Sequence, residues 1–391
     1  MDREEILQNV EQLLRSYQET KHLSLVLFQG DPGVGKTALV EQVMEMGKEL
    51  EMDPVYVPIP SYSSPPCFLM MRKIFQAFFP LPSSSQNSEE SPSFLYFLQK
   101  HFPKDWEEYL PLANILGFAA EPISLHHYPQ RERMGLLQNY FQTVLEKFFK
   151  LVPRFLLIED LEESDLHSLE ILKHVLARLP EEDTPLFFLA TTRSPYILDK
   201  VSSLRTYVVS PLSKDKVVQR ALDFVGASKI DPQFAEWLWE TTKGNPFFLK
   251  QVLFYLKEKE TLQVKDGNLH LSSSFPMLPT LQAALVARLD LLPGETKEVL
   301  KAASVLGSTW KKEVLEKMME PQDISSSLEF LQKKGFVVDH EGEWRFFHPQ
   351  VSQVIYNTLL RRKRKEYHLK AARALEELDG SYDKICLQYL E

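Results

Sequence analysis

The sequence predicts an α/β fold in which a parallel five-stranded sheet is followed by a helical lid and a smaller region of mixed helix and strand. Up to about residue 210, short apolar runs alternate with amphipathic helical patterns, which is typical of a parallel sheet covered on both faces. A glycine-rich turn joins the first apolar run to the next helix. From Pro211 onwards helical patterns dominate, and strand-like runs return only near residue 340. Ligands of such sheets bind at the C-terminal ends of the strands.

The glycine-rich turn reads Gly30-Asp31-Pro32-Gly33-Val34-Gly35-Lys36-Thr37 and fits G-x-x-x-x-G-K-[ST] at every fixed position. It follows an apolar run and precedes a helix that continues through Ala38, which is the order that phosphate binding requires. Backbone N–H groups of such a loop converge on phosphate oxygens, Lys36 can reach the β- and γ-phosphates, and Thr37 can ligate Mg²⁺. A chance glycine turn is the alternative, but the complete pattern favours an ATP or ADP site over residues 30–38.

The strands are predicted from five apolar runs, which cover residues 23–28, 54–59, 153–160, 186–193 and 206–209. Helical spacing of apolar residues predicts helices over 4–20, from Thr37 onwards, and over 66–80, 94–102, 105–116, 129–150 and 164–179. Residues 82–93 are rich in serine and proline, and we interpret them as a tolerated surface loop.

A second motif lies at the end of strand 153–160, where two carboxylates follow the apolar run. We expect this strand beside the P-loop strand, with one carboxylate binding Mg²⁺ through water and the next orienting the attacking water. The usual order is Asp followed by Asp or Glu, whereas here Glu159 precedes Asp160, so the sequence leaves open which one serves the metal. We name Asp160, together with Thr37, as the metal candidate.

The strand after this motif ends in Thr191-Thr192-Arg193. An arginine at the end of that strand suits a sensor of the γ-phosphate, and Arg193 is our third catalytic candidate beside Glu159 and Asp160. The alternative is an arginine that ends a strand and faces water.

In the second half, helices are predicted over 214–225, 231–242, 246–257, 279–292, 295–306, 311–318, 322–334 and 367–378, with a linker over 263–276. Runs 335–339 and 344–347 are predicted as a hairpin, after which His348-Pro349 begins another helix. Helices followed by a small hairpin predict a winged-helix-like module. The expected domains are therefore a nucleotide-binding α/β domain over 1–212, a helical lid over 213–262, and a winged-helix-like and C-terminal helical region over 263–391.

Composition and net charge indicate which partners and which cellular compartment suit this protein. The 391 residues carry a formal net charge of −9, which argues against nucleic acid or an anionic membrane as partner. The basic run Arg361–Lys365 is a local exception, and a solvated helix face is its alternative reading. Two cysteines suit a reducing compartment, the charged N-terminus is no signal peptide, and no apolar run approaches the ~18 residues of a membrane span. We expect a cytoplasmic location, with the nucleus as the alternative.

Several motifs in order resemble the STAND branch of the AAA+ ATPases, and more narrowly the NTPase module of soluble adenylyl cyclases. The matching residues are Glu159-Asp160-Leu161 with Asp165, Ser168 and Leu169, the T-x-G-N-P-x-F-L signature from Thr242 to Leu249, and Phe346-Phe347-His348 of an F-x-H segment. Two stretches depart from that pattern. The G-R-E start is Asp2-Arg3-Glu4, and the usual H-W-A is Glu162-Glu163-Ser164.

The resemblance implies an ATP/ADP-dependent switch with Mg²⁺ and slow hydrolysis. It places Pro246 near the adenine and His348 at the β-phosphate, although a histidine packed at a helix start is the alternative for His348. It also implies a module of a longer protein, with cyclase domains or helical-repeat segments as partners. Two other functions stay open: a DNA-associated ATPase of the origin-recognition type, and a scaffold that binds nucleotide without turnover.

Overall fold

The computed structural model describes residues 3–59, 65–79, 94–118, 130–151, 154–180, 182–265, 267–272, 274–320, 323–340 and 342–379. The chain divides into two compact units, Met1–Ser210 and Pro211–Glu391. The predicted surface loop 82–93 and Cys386 lie outside the described residues. None of the helices in the described ranges is both long enough and apolar enough to cross a bilayer.

The first unit is built on a five-stranded sheet with the order β2-β3-β4-β1-β5, and all of its strands are parallel. The strands are β1 (Ser24–Gln29), β2 (Pro54–Pro58), β3 (Arg154–Glu159), β4 (Leu186–Thr192) and β5 (Leu204–Val208). The parallel five-stranded sheet is therefore confirmed. The expectation that β3 lies beside the P-loop strand β1 is wrong, because β4 pairs with both of them.

Helices cover both faces of this sheet. They are α1 (Arg3–Thr20), α2 (Lys36–Glu49), α3 (Leu69–Phe78), α4 (Phe94–His101), α5 (Leu110–Leu116), α6 (Gln130–Leu151) and α7 (Leu166–Arg178), with 3₁₀ turns at Trp106–Tyr109 and Leu161–Glu163. Alternate residues of β1 enter different cores, since Val26 and Phe28 pack with α1 and α2 while Leu25 and Leu27 pack in the larger core opposite. Buried apolar residues on both faces explain why the strands read as unbroken apolar runs.

The second unit begins with α8 (Lys214–Val225), β6 (Lys229–Ile230), α9 (Pro232–Thr242) and α10 (Pro246–Glu258). The linker predicted over 263–276 is wrong for its first half, because β7 (Leu262–Lys265) and β8 (Asn268–Leu271) form an antiparallel hairpin. This hairpin extends the two-residue strand β6, which pairs parallel to β8. The pair Asp266-Gly267 between the runs was the turn signal that could have found it.

The rest of the second unit is formed by α11 (Leu281–Asp290), α12 (Gly294–Val305), β9 (Thr309–Lys311), α13 (Lys312–Met319), α14 (Ser325–Lys333), β10 (Val337–His340), β11 (Glu343–Phe346), α15 (Pro349–Thr358) and α16 (Arg361–Asp379). The predicted hairpin is confirmed as β10 and β11, and β9 joins it as a third strand. That strand was missed because it spans only three residues. The winged-helix assignment of this region stays a prediction.

Candidate functional site

The P-loop lies between β1 and α2, as predicted, and its glycines meet two different demands of the backbone. Gly35, which immediately precedes α2, has a φ of 99° in the left-handed region that favours glycine. Gly30 has no room for a side chain, because a Cβ there would lie 2.7 Å from the carbonyl oxygen of Val209. The loop therefore depends on glycine for its conformation at one position and for its close approach to neighbouring backbone at the other.

Lys36, the first residue of α2, folds back across the loop. Its side chain is buried, and its Nζ donates to the carbonyl oxygens of Gly30 at 2.8 Å and Asp31 at 3.4 Å. Burial lowers the pKa of the Lys36 ammonium, and the charges of Asp160 and Glu162 oppose that shift. The ammonium is therefore held inside the loop where phosphate oxygens would be bound.

The last residue of β3, Glu159, is buried and reaches the start of α2. Its carboxylate accepts hydrogen bonds from the Thr37 hydroxyl and from the hydroxyl of Tyr56 on β2. Burial raises the pKa of Glu159, while these two hydrogen bonds and the charge of Lys36 lower it. Of the two carboxylates of the second motif, it is Glu159 that contacts the P-loop threonine. Tyr56 could not be predicted as a site residue, since a tyrosine within a strand run carries no recognisable signal.

Asp160 lies one residue beyond the strand and has a φ of 54°, a conformation that Asp adopts more readily than most residues. Its backbone N–H donates to the hydroxyl of Thr191 on β4 at 2.9 Å. Burial, together with repulsion from Glu162 and Glu159, raises the pKa of Asp160 to about 6. The carboxylate therefore lies among other acids and close to the Lys36 ammonium, and it is Glu159 that contacts Thr37.

Arg193 follows β4 and makes ion pairs with the 3₁₀ turn after Asp160. Its Nε lies 2.8 Å from the Glu162 carboxylate and its Nη2 lies 3.5 Å from that of Glu163. Its backbone N–H also donates to Glu162 at 3.2 Å. The alternative of an arginine that only faces water is therefore not what the structure shows, and its role as a phosphate sensor stays a prediction.

Arg3 is a contact of the P-loop that the sequence analysis did not use. Its Nη2 donates to the carbonyl oxygen of Val34 at 2.7 Å and to that of Ser210 at 3.1 Å. One side chain on α1 thus joins the loop to the last residue of the first unit. The degenerate G-R-E start of the family pattern was the signal that pointed to this position.

Pro246 and His348 both belong to the second unit. Pro246 is the first residue of α10, and Asn245 caps that helix by accepting from the N–H of Phe248 at 3.0 Å. His348 caps α15, with Nδ1 accepting from the N–H of Gln350 at 3.2 Å. The His348 ring stacks on Phe247 with 4.1 Å between centroids, so the G-N-P and F-x-H segments meet within this unit. The nucleotide contacts of Pro246 and His348 stay predictions.

The basic run Arg361–Lys365 begins α16, and part of its charge is used within the chain. Lys363 pairs with Glu366 at 3.2 Å, and the Arg364 guanidinium lies 4.1 Å from the centre of the Tyr356 ring. The other three members of the run are exposed. This arrangement fits a solvated helix face better than a continuous basic surface for nucleic acid.

Magnesium fits the oxygen donors at the first unit's sheet edge. Across the described ranges, no group of three or more His, Cys, Asp and Glu side chains could hold a metal ion by itself. Mg²⁺ does not need such a group, since it is usually held by one or two protein oxygens, phosphate oxygens and water. The Thr37 hydroxyl and the adjacent Glu159 carboxylate provide donors of this kind.

No model of a known protein family matches the chain, and no curated protein matches it. Among solved structures, the STAND protein PH0952 of Pyrococcus horikoshii, which has a tetratricopeptide repeat sensor, aligns with a TM-score of 0.54 at 13% identity. The alignment covers 96% of this chain and 46% of that protein. The chain has the fold of AAA+-type P-loop ATPases. It spans about half of the length of this STAND protein.

Two other solved structures align with the chain less well. The Walker-type ATPase of Pyrococcus abyssi aligns with a TM-score of 0.38 at 16% identity, covering 90% of this chain and 95% of the other. Cdc6p of Pyrobaculum aerophilum aligns with a TM-score of 0.40 at 13% identity, covering 92% of this chain and 95% of the other. None of these alignments supports the narrower resemblance to soluble adenylyl cyclases, which stays a prediction.

Proposed function

We propose that this chain is a regulatory module that binds ATP or ADP with Mg²⁺, hydrolyses ATP slowly and acts as a nucleotide-dependent conformational switch. The observation that carries the proposal is the contact between the Thr37 hydroxyl of the P-loop and the buried Glu159 carboxylate. An ATPase needs both a P-loop and an acidic second motif, and this contact brings the two together at one edge of the sheet. A switch requires only that ATP and ADP bind its two states differently, so slow hydrolysis is sufficient.

The phosphates would be held by the backbone N–H groups of residues 33–38 and by Lys36. In the structure the Lys36 ammonium donates to two loop carbonyls. Exchange of these neutral acceptors for ionised phosphate oxygens would pair the ammonium with a negative charge, and such hydrogen bonds are stronger. Arg3 supports the loop from outside, because it binds the carbonyl of Val34.

We further propose that Glu159, and not Asp160, faces the magnesium ion. The Thr37 hydroxyl is the P-loop group that ligates Mg²⁺, and Glu159 is the carboxylate that contacts it. Bound Mg²⁺ would neutralise charge that develops on the phosphates. Asp160, one residue further along the chain, is then left to orient the attacking water.

The second candidate function is a nucleotide-binding scaffold without turnover. The inverted order of Glu159 and Asp160 favours it, and so does the engagement of Arg193 by two glutamates. A DNA-associated function has less support, because Arg364 and Lys363 of the basic run are engaged within the chain.

A wider proposal is that the chain acts within a longer signalling protein of the soluble adenylyl cyclase kind. Its support is the order of the family motifs and the fact that the chain spans 46% of a STAND protein with a repeat sensor. The assignments of Pro246 to adenine and of His348 to the β-phosphate rest on the resemblance alone. Faster ADP release from a His348→Ala variant would support the second of them.

Equilibrium binding of fluorescent ATP and ADP analogues, with and without Mg²⁺, tests the proposed function. Lys36→Ala should weaken binding at least about tenfold, since a hydrogen bond to a charged group contributes roughly 1.5–3 kcal/mol. Lys48→Ala is the matched control, because Lys48 lies on the same helix, is exposed and forms a surface ion pair with Glu45. Unchanged affinity in a folded Lys36→Ala variant would refute the nucleotide site.

A further inference from the structure

Arg193 is held by the turn that immediately follows the second motif. The Glu162 carboxylate lies 2.8 Å from the Nε of Arg193 and accepts a hydrogen bond from the Arg193 backbone N–H at 3.2 Å. The Glu163 carboxylate lies 3.5 Å from the Nη2 of Arg193. We propose that Glu162 and Glu163 withhold the Arg193 guanidinium from the γ-phosphate and thereby slow hydrolysis. This inference rests on the proposed function, because it concerns the regulation of the same site.

The turn that carries the two glutamates is well anchored. Leu161 is buried in the larger core of the first unit. The N–H of Glu163 donates to the carbonyl of Asp160 at 2.9 Å, and that of Ser164 donates to the carbonyl of Leu161 at 3.1 Å. Both glutamate side chains are mostly buried, with 16% and 18% exposed, whereas 37% of the Arg193 side chain is exposed. The carboxylates are therefore fixed, and Arg193 is the partner that could move.

Arg193 lies within electrostatic reach of the P-loop lysine. Its charge lowers the pKa of Lys36, while the charge of Glu162 raises it. A phosphate bound to Lys36 would therefore also attract Arg193, in competition with the two glutamates. If Arg193 moved to the phosphate, it would leave two partly buried carboxylates without their cation, which opposes the movement.

The consequence concerns the transition state of hydrolysis. The oxygen of water forms a bond to the γ-phosphorus while the bond from that phosphorus to the β–γ bridging oxygen breaks, and ADP and inorganic phosphate leave. The proton of the water passes through Asp160 to solvent. A cation at the γ-phosphate stabilises the charge on the transferring group, and such cations accelerate phosphoryl transfer strongly. An Arg193 held by Glu162 and Glu163 does not supply that stabilisation, so bound ATP persists.

The replacement of the usual H-W-A by Glu162-Glu163-Ser164 is where this chain departs from the pattern it resembles. Two acids at these positions add negative charge close to a site for a polyanion, which does not favour nucleotide binding. Their contacts with Arg193 give them a physical role, because they neutralise and position that side chain. The two glutamates that replace the usual residues are then also the cause of the slow hydrolysis.

Single-turnover hydrolysis of γ-labelled ATP by the full chain in excess, with Mg²⁺, tests the inference. We expect the wild-type chain to hydrolyse ATP slowly. The double variant Glu162→Gln/Glu163→Gln should be about tenfold faster or more, because Arg193 is freed. Adding Arg193→Ala to this double variant should return the rate to the slow value.

The matched control is Glu182→Gln/Asp183→Asn, which removes the same charge at exposed residues preceding β4. Its rate should equal the wild-type rate. Circular dichroism checks folding, and if the double variant fails to fold, Glu163→Gln alone should give a smaller acceleration, since it loses only the 3.5 Å contact. No acceleration in the folded variants would overturn the inference, as would an acceleration that persists without Arg193. Nucleotide affinity is measured for each variant, and absent binding by the wild-type chain would instead refute the proposed function.

Discussion

The Asp165 carboxylate accepts a hydrogen bond at 2.9 Å from the backbone N–H of Phe68, which lies 97 residues earlier in the chain. The same carboxylate accepts from the N–H of Met70 at 3.3 Å and from that of Ser168 at 2.9 Å. The Ser168 hydroxyl in turn accepts from the N–H of Met71 at 3.3 Å. Asp165 therefore caps the N-terminal ends of α3 and α7 together. This structural role accounts for the two polar residues of the family motif that follow the carboxylates.

Asp165→Ala should lower the stability of α3 and α7 by about 2–4 kcal/mol. The expected cost exceeds that of an ordinary cap, because three buried N–H groups lose their acceptor. Hydrogen–deuterium exchange measured separately over the two helices would show the loss. Asp231→Ala, which removes the cap of α9 alone, is the control and should cost about 1 kcal/mol. Equal losses in both variants would contradict the double role of Asp165.

Glu159→Gln and Asp160→Asn should have different effects. Glu159→Gln should lose the Mg²⁺-dependent part of the affinity for ATP, since its carboxylate contacts the Thr37 hydroxyl, which we propose as a ligand of Mg²⁺. Asp160→Asn should keep that affinity and lose turnover. Binding titrations in Mg²⁺ and in EDTA, together with phosphate release, separate the two outcomes. The reverse pattern would assign the metal to Asp160, and no effect from either change would mean that β3 does not carry the second motif.

The sequence was informative where structure depends on local pattern. The five strands, the P-loop and the helix that starts at His348-Pro349 were predictable, because apolar periodicity and glycine spacing act over a few residues. The position of β4 between β1 and β3 was not, because strand order depends on contacts between segments far apart in the chain. The hairpin of β7 and β8 was missed because each of its runs has only four residues, and half of these residues are polar.

The candidate site shows the same limit. The P-loop and the pair Glu159 and Asp160 were found from spacing, but the sequence could not say which carboxylate meets Thr37. That contact depends on where β3 ends relative to α2 in three dimensions. The contacts of Arg193 with Glu162 and of Asp165 with Phe68 are likewise side-chain geometry that no one-dimensional pattern specifies.

Arg288 is the fully buried cation of α11, and its removal should destabilise the second unit. Its guanidinium pairs with Glu258 at 2.9 Å, donates to the carbonyl of Lys334 at 2.6 Å and lies between the rings of Phe254 and Phe336. Arg288→Ala should cost about 3–5 kcal/mol, because it leaves the Glu258 carboxylate buried without its partner. Urea unfolding followed by tryptophan fluorescence measures the loss.

A double variant separates the ion pair from the packing around it. Arg288→Met/Glu258→Met should be more stable than Arg288→Ala, because neither charge is then left unpaired. Arg15→Ala, which removes an exposed partner of Glu11 on α1, should cost less than about 1 kcal/mol and serves as the surface control. If Arg288→Ala were as mild as this control, the buried ion pair would not be a major stabilising contact.

Titration of the Tyr17 hydroxyl should lower the stability of the first unit at alkaline pH. Its hydroxyl, on a side chain that is 2% exposed, donates to the carbonyl oxygens of Arg154 at 3.0 Å and Pro185 at 3.1 Å, next to the starts of β3 and β4. Burial raises the pKa of Tyr17 from its ordinary value of 10.0 to about 12. Between these values the folded chain holds a proton that the unfolded chain has released, so the free energy of unfolding falls as pH rises. The stabilisation is complete below pH 10 and is lost as pH rises through 12, and the total loss amounts to about 3 kcal/mol at 1.36 kcal/mol per pKa unit.

Comparison with Tyr17→Phe isolates this contribution from the other groups that titrate in alkali. At neutral pH the variant should be less stable by about 1–2 kcal/mol, because two buried carbonyls lose their donor. As pH rises above 10, the difference between the chains should shrink and then reverse, since phenylalanine has no proton to release. Urea unfolding at pH 8, 11 and 12 measures the initial difference and its reversal, with the exposed Tyr196→Phe as control. A difference between wild type and Tyr17→Phe that stays constant across this range would mean that the Tyr17 hydroxyl titrates alike in the folded and unfolded chains, contrary to its burial.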